Sequence, residues 1–306
     1  MDRDRDQRCA VLAEDVAEAL PGTAPQARGW VAIEQWGPYG RDALLDSHFP
    51  RSLGRWLKDT LAPLSIKPVL IRPAGAHADP REVAKTRRVF LASSAPGASA
   101  LASLTVDDPE ELRDVDFHAI TSGRIGQAYP GLQRESEPLL LICSHAKRDI
   151  CCAQRGRPIA KALASQQDSA GLSRRIWECS HLGGHRFAPV GLQLPHGWVH
   201  GRFTTERAAK IFADAQAGSV TMSNARGRSS QDPPTQVAEI AARQIAKVTS
   251  IDSVNADDLG GGKFRIVGPE GNRIDVEVGL DTGPTPRPES CAKQPEPWLS
   301  WSVRAM

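Results

Sequence analysis

The order of strand-like and helix-like segments predicts an α/β protein: two units of the same topology, followed by a small C-terminal α+β appendage. Three observations support this prediction. Strand-like and helix-like patterns alternate in two separate halves of the 306-residue chain. Each half ends with two further strand-like runs and a helix. Beyond residue 230, a helix-like pattern precedes two runs that are typical of a hairpin.

The first unit follows a helix-like segment, AVLAEDVAEAL. RGWVAIEQW, centred on residues 29–36, has the β-branched and aromatic composition of a strand. RSLGRWLKDTLAPL (51–64) is helix-like, and IKPVLIRP (66–73) is a second strand. Two more strands and a short helix with an acidic start are predicted for RRVFLASS, SALASLTV and DDPEELRDV. The resulting order is βαβ followed by ββα.

The second unit repeats this order. Strand EPLLLICS (137–144) precedes helix RPIAKALASQQ (157–167), and the last helix, TTERAAKIFADAQAG, begins at Thr204 or Thr205. The strands between these helices are RRIWECS, PVGLQLP and WVHGRF. Parallel strands joined through a helix and completed by ββα are typical of a thioredoxin-like layered fold. We therefore predict two tandem thioredoxin-like units (βαβ-ββα).

The composition also predicts where the units end. SNARGRSSQDPPTQ (223–236) has the Gly, Ser, Pro and charge content of a linker. After it, VAEIAARQIAKV has helical spacing, and KFRIVG and RIDVEVGL form a hairpin pattern around PEGN. We predict an N-terminal domain without cofactor over 1–130, a second domain over 131–222, and a linker with the appendage over 223–306.

The overall composition excludes several function classes. Apolar residues make up 40% and charged residues 24%, as in ordinary globular proteins. Lys plus Arg (38) nearly balances Asp plus Glu (36), which predicts neither nucleic-acid nor membrane-surface binding. No apolar run approaches the roughly 18 residues of a membrane-spanning helix. The start MDRDRDQRC lacks the apolar region of a secretory signal, so we expect a cytoplasmic protein.

The chemistry-bearing residues are concentrated in two short segments. CSHAKRDICC (143–152) and CSHLGGHRF (179–187) contain four of the six cysteines and three of the eight histidines. Six cysteines are too few for a disulfide scaffold in a chain of this length, and clustered cysteines in a reducing compartment bind metals or perform redox chemistry. Each segment directly follows a predicted strand, so neighbouring strands would bring both segments into one site.

The spacing favours an iron–sulfur cluster over zinc. Thiolates suit zinc and iron–sulfur centres, and imidazole suits zinc and iron. Eight residues separate Cys143 from Cys152, longer than the C-x2-4-C of closed zinc sites, whereas the three residues between His181 and His185 fit either metal. A zinc-stabilised binding module is therefore the alternative, and a redox sensor with an iron–sulfur cluster is a second one.

Other ligand sets stay open. Cys143-x-His145 and Cys179-x-His181 each resemble half of a Rieske motif, but the C-x2-H half is absent and Cys179 is predicted inside a strand. Cys151 and Cys152 are adjacent and cannot both easily hold one cluster, and the offset favours Cys152. We interpret His145 as a hydrogen-bonding neighbour of the site.

CSHAKRDICC and SHLGGHRFAPVGLQLPHGWVHGR, together with ALPGTAPQARGWVAIEQWGPYGRDAL in the first half, resemble the sucrase/ferredoxin-like family. The resemblance covers most of residues 9–217 and implies no sucrase activity. The family is related to thioredoxin-like ferredoxins, in which a C-x3-C pair stands where this chain has H-x3-H. The resemblance implies that Cys143 and Cys152 hold one iron of a [2Fe-2S] cluster, and His181 and His185 the other.

This ligand set implies an electron carrier rather than an enzyme. Two thiolates and two neutral imidazoles leave the oxidised cluster uncharged, which favours electron uptake and a potential above the ordinary ferredoxin range. Protonation of the imidazoles would couple electron and proton uptake. No catalytic triad, nucleophile elbow or nucleotide-binding loop is present in the sequence.

A redox partner protein is therefore expected, and basic residues around the predicted site suggest that this partner is acidic. The sequence leaves the oligomeric state open. The basic residues are Lys147, Arg148, Arg155, Arg157, Arg174, Arg175, Arg186 and Arg202.

Overall fold

The computed structural model describes residues 7–74, 86–169 and 175–306. The helices are α1 (Cys9–Asp15), α2 (Ala43–Asp46), α3 (Arg51–Leu61), α4 (His118–Thr121), α5 (Ile150–Ser169), α6 (Thr205–Gln216) and α7 (Pro233–Ala246). The strands are β1 (Gly29–Glu34), β2 (Ile66–Pro73), β3 (Arg87–Ser93), β4 (Ala100–Val106), β5 (Gln133–Arg134), β6 (Leu139–Cys143), β7 (Ile176–Cys179), β8 (Val190–Leu194), β9 (Trp198–Gly201), β10 (Ala225–Arg228), β11 (Asn255–Gly260), β12 (Lys263–Val267), β13 (Arg273–Thr282), β14 (Arg287–Pro288), β15 (Pro295–Glu296) and β16 (Leu299–Ala305).

One mixed sheet of ten strands forms the centre of the protein, in the order β10-β9-β8-β6-β7-β2-β1-β3-β4-β5. In the first half β1 pairs in parallel with β2 and antiparallel with β3. In the second half β6 pairs in the same way with β7 and β8. The predicted α/β class is thus confirmed, and the sheet continues without a break across residue 130.

Burial explains why the central strands read as continuous apolar runs. Every residue of β1 and of β6 is buried, which is typical of strands that are covered on both faces. Helix α3 packs through Leu53, Leu57 and Leu61 against the core of the first half. None of the helices in the described residues combines the length and the apolarity needed to cross a bilayer.

A buried ion pair lies where the two halves of the sheet meet. Strands β2 and β7 pair antiparallel, with Arg72 opposite Glu178. The guanidinium of Arg72 donates to the Glu178 carboxylate at 2.7 Å and 3.0 Å and to the carbonyl of Gly37 at 2.8 Å. Glu178 also accepts a hydrogen bond from the hydroxyl of Ser144 at 2.7 Å. The pair therefore joins the halves and reaches the residue that follows β6.

Helix α5 begins at Ile150, not at residue 157 as the sequence pattern predicts. The difference arises because Pro158 lies inside the helix, whereas proline usually marks a first turn. The true start is capped by Asp149, whose carboxylate accepts from the amide of Cys151 at 2.9 Å. Cys151 and Cys152 consequently lie in the first helical turn.

The predicted linker over 223–236 is corrected by the structure, because it contains β10 and the start of α7. Its polar composition is misleading since Arg226 and Arg228 are almost fully buried. Arg228 lies over the Trp198 ring and donates to Asp252 and to the carbonyl of Ile251. Arginine side chains that stack on aromatic rings and saturate carbonyls can belong to a core.

The C-terminal part forms a second sheet in the order β11-β12-β13-β16. The predicted hairpin is confirmed as the antiparallel pair β12 and β13. Helix α7 packs on this sheet through Val237, Ala238 and Ala242. Strand β11 has the sequence NADDLG and is mostly exposed, so it carries no alternation of apolar and polar residues that would predict it.

The buried Arg72–Glu178 ion pair leads to a prediction about the stability of the protein. Arg72→Met removes the nearer cation of the buried Glu178 carboxylate and leaves Arg157 at 3.9 Å, so we expect the free energy of unfolding to fall by about 3 kcal/mol. Urea denaturation measures it. Arg72→Met with Glu178→Gln should recover part of the loss. Lys58→Met, which breaks the exposed Lys58–Asp42 pair, should cost at most about 1 kcal/mol; equal losses for Arg72→Met and Lys58→Met would contradict the prediction.

Candidate metal centre

The carboxyl ends of β6 and β7 lie side by side. The strands pair in parallel, with Cys143 opposite Cys179, as expected for two neighbouring strands that both lead to the candidate site. One loop runs from β6 to α5, and a second runs from β7 to β8. The two cysteine- and histidine-rich segments therefore meet at one edge of the fold.

Cys143 at the end of β6 and Cys152 in the first turn of α5 face each other. Both side chains are almost completely buried. A hydrogen bond from Cys152, followed by one from His181, holds the pKa of Cys143 well below its usual range. The same contact with Cys143, together with burial, raises the pKa of Cys152. The two sulfur atoms thus share one hydrogen bond in a buried environment.

Helix α5 approaches the end of β6 closely enough that only glycine fits at the contact. Gly156 lies one turn after Cys152, and a Cβ atom there would overlap the carbonyl oxygen of Cys143. A larger residue would push the helix away from the strand, which would separate the two thiols. The position of Cys152 therefore depends on a residue that is not itself a candidate ligand.

His181 and His185 lie on the loop after β7, with ring centroids 5.4 Å apart. Nδ1 of His181 and both ring nitrogens of His185 are buried without a hydrogen-bond partner. Burial lowers the pKa of His185, which favours its neutral form. Its Nε2 atom is 3.7 Å from a carboxylate oxygen of Asp149. Three buried ring nitrogens of the two histidines are therefore available as ligand atoms.

The loop that carries the histidines is shaped by two glycines and one arginine. Gly183 and Gly184 have φ angles of 90° and 72°, which glycine adopts without strain. Arg226 of β10 donates to the carbonyl of Gly183 at 3.0 Å, and a Cβ atom at Gly184 would overlap its guanidinium. Burial lowers the pKa of Arg226 to about 9. A buried cation thus lies directly behind the histidine loop.

His145 holds this loop rather than contributing a free nitrogen. Its Nε2 is 2.8 Å from the carbonyl of Gly40, and its Nδ1 accepts from the backbone amide of His181 at 3.2 Å. A carbonyl only accepts and an amide only donates, so both ring nitrogens are engaged. The alternative ligand set that includes His145 would have to break one of these bonds. Cys179, its other member, is fully buried, and burial raises its pKa.

The structure also brings together four residues that the sequence does not connect. Cys9, Asp149, Cys151 and Cys291 place their ligand atoms within 4.8 Å of one another, and the group could hold a metal ion. We call them the Cys3Asp group. Sequence analysis missed it because Cys9 and Cys291 lie near opposite ends of the chain, each without a cysteine or histidine near it in the sequence. The only available signal was that Cys151 had no role in the predicted site.

A cleft of about 880 Å³ adjoins the histidine loop, with His145, His181 and Gly183 in its wall. Asp42 is the only acidic residue among the described residues that line it. The cationic lining residues are Arg28, Arg41, Lys58, Lys67 and Arg148. The cleft therefore has a positive electrostatic potential beside the candidate metal centre.

Several basic residues noted in the sequence are neutralised by acidic partners, and Arg174 lies outside the described residues. Lys147 and Arg148 are exposed on the loop before α5. The neutralised pairs are Arg155–Glu14, Arg175–Glu135 and Arg186–Glu18. The positive surface at the site is therefore provided mainly by the cleft.

Comparison with known proteins identifies one relationship. The sequence profile of the sucrase/ferredoxin-like family, Suc_Fer-like, matches residues 20–227. This range contains the four predicted ligands and almost all of the ten-stranded sheet, and it excludes Cys9 and Cys291. No curated protein and no solved structure matches the chain.

Proposed function

The chain belongs to the sucrase/ferredoxin-like family, and from this we propose that it is an electron-transfer protein that holds a [2Fe-2S] cluster. The proposed ligands are Cys143, Cys152, His181 and His185. When bound, the cluster would supply one-electron redox chemistry. The side chains of this chain would bind the cluster and set the charge around it.

The observation that carries the proposal is the set of buried nitrogens without partners beside a buried thiol pair. Buried polar groups in folded proteins almost always have a hydrogen-bond partner. Here three ring nitrogens of His181 and His185 have none, and Cys143, whose pKa is lowered by hydrogen bonds from Cys152 and His181, lies next to them. Two buried cysteines and two histidines with buried ring nitrogens fit the donor set of an iron–sulfur centre.

The surroundings also fit a site that gains negative charge. Arg226 lies behind the histidine loop and contributes a positive charge from within the core. Its other hydrogen bonds go to the hydroxyl and the carbonyl of Thr23, both of which are neutral. A buried cation with neutral partners stabilises an added electron nearby because the low dielectric weakens screening.

We further propose that the two halves of the sheet are thioredoxin-like units, with the site in the second one. The support is the strand order, since β2-β1-β3-β4 and β7-β6-β8-β9 repeat the same pairing. The first unit has no C-x-x-C pair and no proposed cofactor. All six cysteines are free, which is consistent with a proposed location in the reducing cytoplasm.

The proposed ligation is tested by spectroscopy on protein purified without oxygen. Oxidised wild type should be red-brown, and dithionite reduction should give a paramagnetic signal with a lower average g value than that of all-cysteine ferredoxins. His181→Cys should move this signal toward ordinary ferredoxin values, because a thiolate replaces an imidazole on one iron. Visible absorption, electron paramagnetic resonance and iron content are the measurements.

His145→Gln is the matched control, because His145 contacts the same loop without being a proposed ligand. It should keep the wild-type g values. A change of g values in His145→Gln like that in His181→Cys would favour the alternative ligand set. A colourless protein that holds zinc at Cys143 and Cys152 would overturn the proposal in favour of a zinc-stabilised module.

Proton-coupled reduction is the finer part of this proposal. A ring nitrogen of His181 or His185 that does not bind iron can carry a proton, and an added electron strengthens its hold on that proton. The midpoint potential should therefore fall as the pH rises above neutrality, by up to about 59 mV per pH unit for one proton per electron. Protein-film voltammetry between neutral and strongly alkaline pH measures this slope; a potential that is independent of pH would exclude the coupling.

The cationic cleft supports an acidic redox partner as the electron donor or acceptor. Surface charges act mainly on the rate of encounter. Electrons would enter or leave near His181, which lines the cleft. Among the described residues of the cleft wall, five Arg and Lys side chains face a single carboxylate, that of Asp42.

Small redox reagents of opposite charge test the cleft without knowledge of the partner. Arg148→Glu should slow oxidation of the reduced protein by anionic ferricyanide roughly tenfold at low salt. It should not slow oxidation by cationic hexaammineruthenium(III). Lys263→Glu reverses an exposed charge on the C-terminal sheet and serves as the control. Equal effects of both variants on both reagents, measured by stopped flow, would contradict a role for the cleft.

A further inference from the structure

The Cys3Asp group is built from three distant parts of the chain. Cys9 is the first residue of α1, Cys151 lies in the first turn of α5, and Cys291 lies between β14 and β15. The three sulfur atoms are separated by 3.7 Å, 3.4 Å and 3.5 Å. They therefore form a nearly equilateral triangle, although up to 282 positions separate these residues in the sequence.

Asp149 provides the fourth candidate ligand of this group. Its carboxylate oxygens lie 3.5 Å from the sulfur of Cys9 and 3.3 Å from that of Cys291. The carboxylate is fixed because it accepts hydrogen bonds from the amides of Cys151 and Cys291 at 2.9 Å and 3.0 Å. The four side chains thus place three sulfurs and one carboxylate around a small common space.

We propose that the Cys3Asp group binds one zinc ion as a structural site. Zinc–sulfur bonds of about 2.3 Å in a tetrahedron place the sulfurs about 3.8 Å apart, and a zinc–oxygen bond of about 2.0 Å places the oxygen about 3.5 Å from each sulfur. The sulfur–sulfur distances of 3.4, 3.5 and 3.7 Å are close to the first value. The oxygen–sulfur distances of 3.5 Å to Cys9 and 3.3 Å to Cys291, each from a different oxygen of the carboxylate, are close to the second. Three soft thiolates and one carboxylate are also a donor set that zinc accepts.

The geometry favours a metal over a disulfide. A disulfide would use two of the sulfurs at a bond length of about 2.0 Å and leave the third thiol and the carboxylate with no function. All three sulfurs are instead equally spaced, and the carboxylate is held against two of them. The three thiols would each release a proton on binding zinc.

Access and burial suit a site that is loaded after folding. Cys9, Cys151 and Asp149 are at most 5% exposed, whereas Cys291 is exposed on the surface segment. A metal ion could therefore reach the group from the side of Cys291. Binding of the Cys291 thiolate would then complete the coordination of the ion.

The site would attach the C-terminal segment to the N-terminal helix and to the start of α5. A second contact supports the same attachment, because Arg287 donates to the buried carboxylate of Glu18 at 2.5 Å. Glu18 also accepts from Arg186, the neighbour of His185. The C-terminal segment is thus connected to the loop that carries the proposed cluster ligands.

The zinc site is adjacent to that cluster site without sharing a residue with it. Cys151 precedes Cys152, and an oxygen of Asp149 lies 3.7 Å from Nε2 of His185. Zinc would therefore fix the first turn of α5, on which the position of Cys152 depends. We infer a positioning role for the zinc ion in addition to its role in attaching the C-terminal segment.

Metal analysis of variants tests this inference. Wild type, Cys291→Ser and Cys143→Ser are produced with added zinc and iron and purified without oxygen, and both metals are quantified by mass spectrometry. Wild type should contain about one zinc per chain. Cys291→Ser should lose at least nine-tenths of it, while Cys143→Ser should retain it. Cys291 is exposed, so its substitution leaves no cavity in the core.

Cobalt titration of reduced, metal-free protein gives a second readout. The titration uses the Cys143→Ser background, in which the thiol pair of the proposed cluster site is broken. Cys143→Ser should develop strong thiolate-to-cobalt charge-transfer absorption, and the double variant Cys143→Ser with Cys291→Ser should lose most of it. Hydrogen exchange of residues 283–296 should be faster in Cys291→Ser than in Cys143→Ser. The inference would be overturned if natively folded wild type bound neither zinc nor cobalt, or if a disulfide joined Cys9 to Cys291.

These outcomes are separate from those of the proposed function. Absence of iron with zinc lost in Cys291→Ser would refute the cluster and support the zinc site. Loss of iron in Cys143→Ser, together with the absence of zinc from wild type, would support the cluster and refute the zinc site.

Discussion

The buried ion pair between Arg72 and Glu178 is the constraint on which the arrangement of the sheet and site depends. Neither charge tolerates burial alone, because the desolvation of a single ion costs several kcal/mol. The pair therefore fixes the register of β2 against β7 and so the relative position of the two halves. Since Glu178 also accepts from Ser144, the same contact fixes the chain directly after Cys143. A slip of one residue would place both charges on the opposite face.

The candidate site then depends on how closely helix α5 approaches β6. Gly156 permits contact with the carbonyl of Cys143, which brings Cys152 to the buried thiol of the strand. On the other side, His145 holds the amide of His181 and Arg226 holds the carbonyl of Gly183. Each proposed ligand is thus positioned by a residue that is not itself a proposed ligand, as is usual for metal sites.

The sequence predicted the buried strands that lead to the candidate site better than the elements around them, for physical reasons. Apolar runs such as residues 139–143 identify buried strands whatever their environment, and strand ends display functional groups. The start of α5 was predicted too late because Pro158 imitates a first turn. Strand β10 was interpreted as a linker because the burial of Arg226 depends on aromatic rings and carbonyls from distant segments. The convergence of Cys9 with Cys291 was equally inaccessible, since spacing along the chain contains no information about contacts between its ends.

Adjacent Cys151 and Cys152 show how one helical turn can serve two groups. Successive residues of a helix differ by about 100° in direction. Two neighbouring cysteines therefore cannot both face one small centre, although each can face its own. Cys152 points toward Cys143 and the histidine loop, whereas Cys151 lies against Cys9 and Cys291. Because Asp149 caps the same turn and contacts both sides, a change in the Cys3Asp group would be transmitted to the position of Cys152 through rigid backbone rather than through solvent.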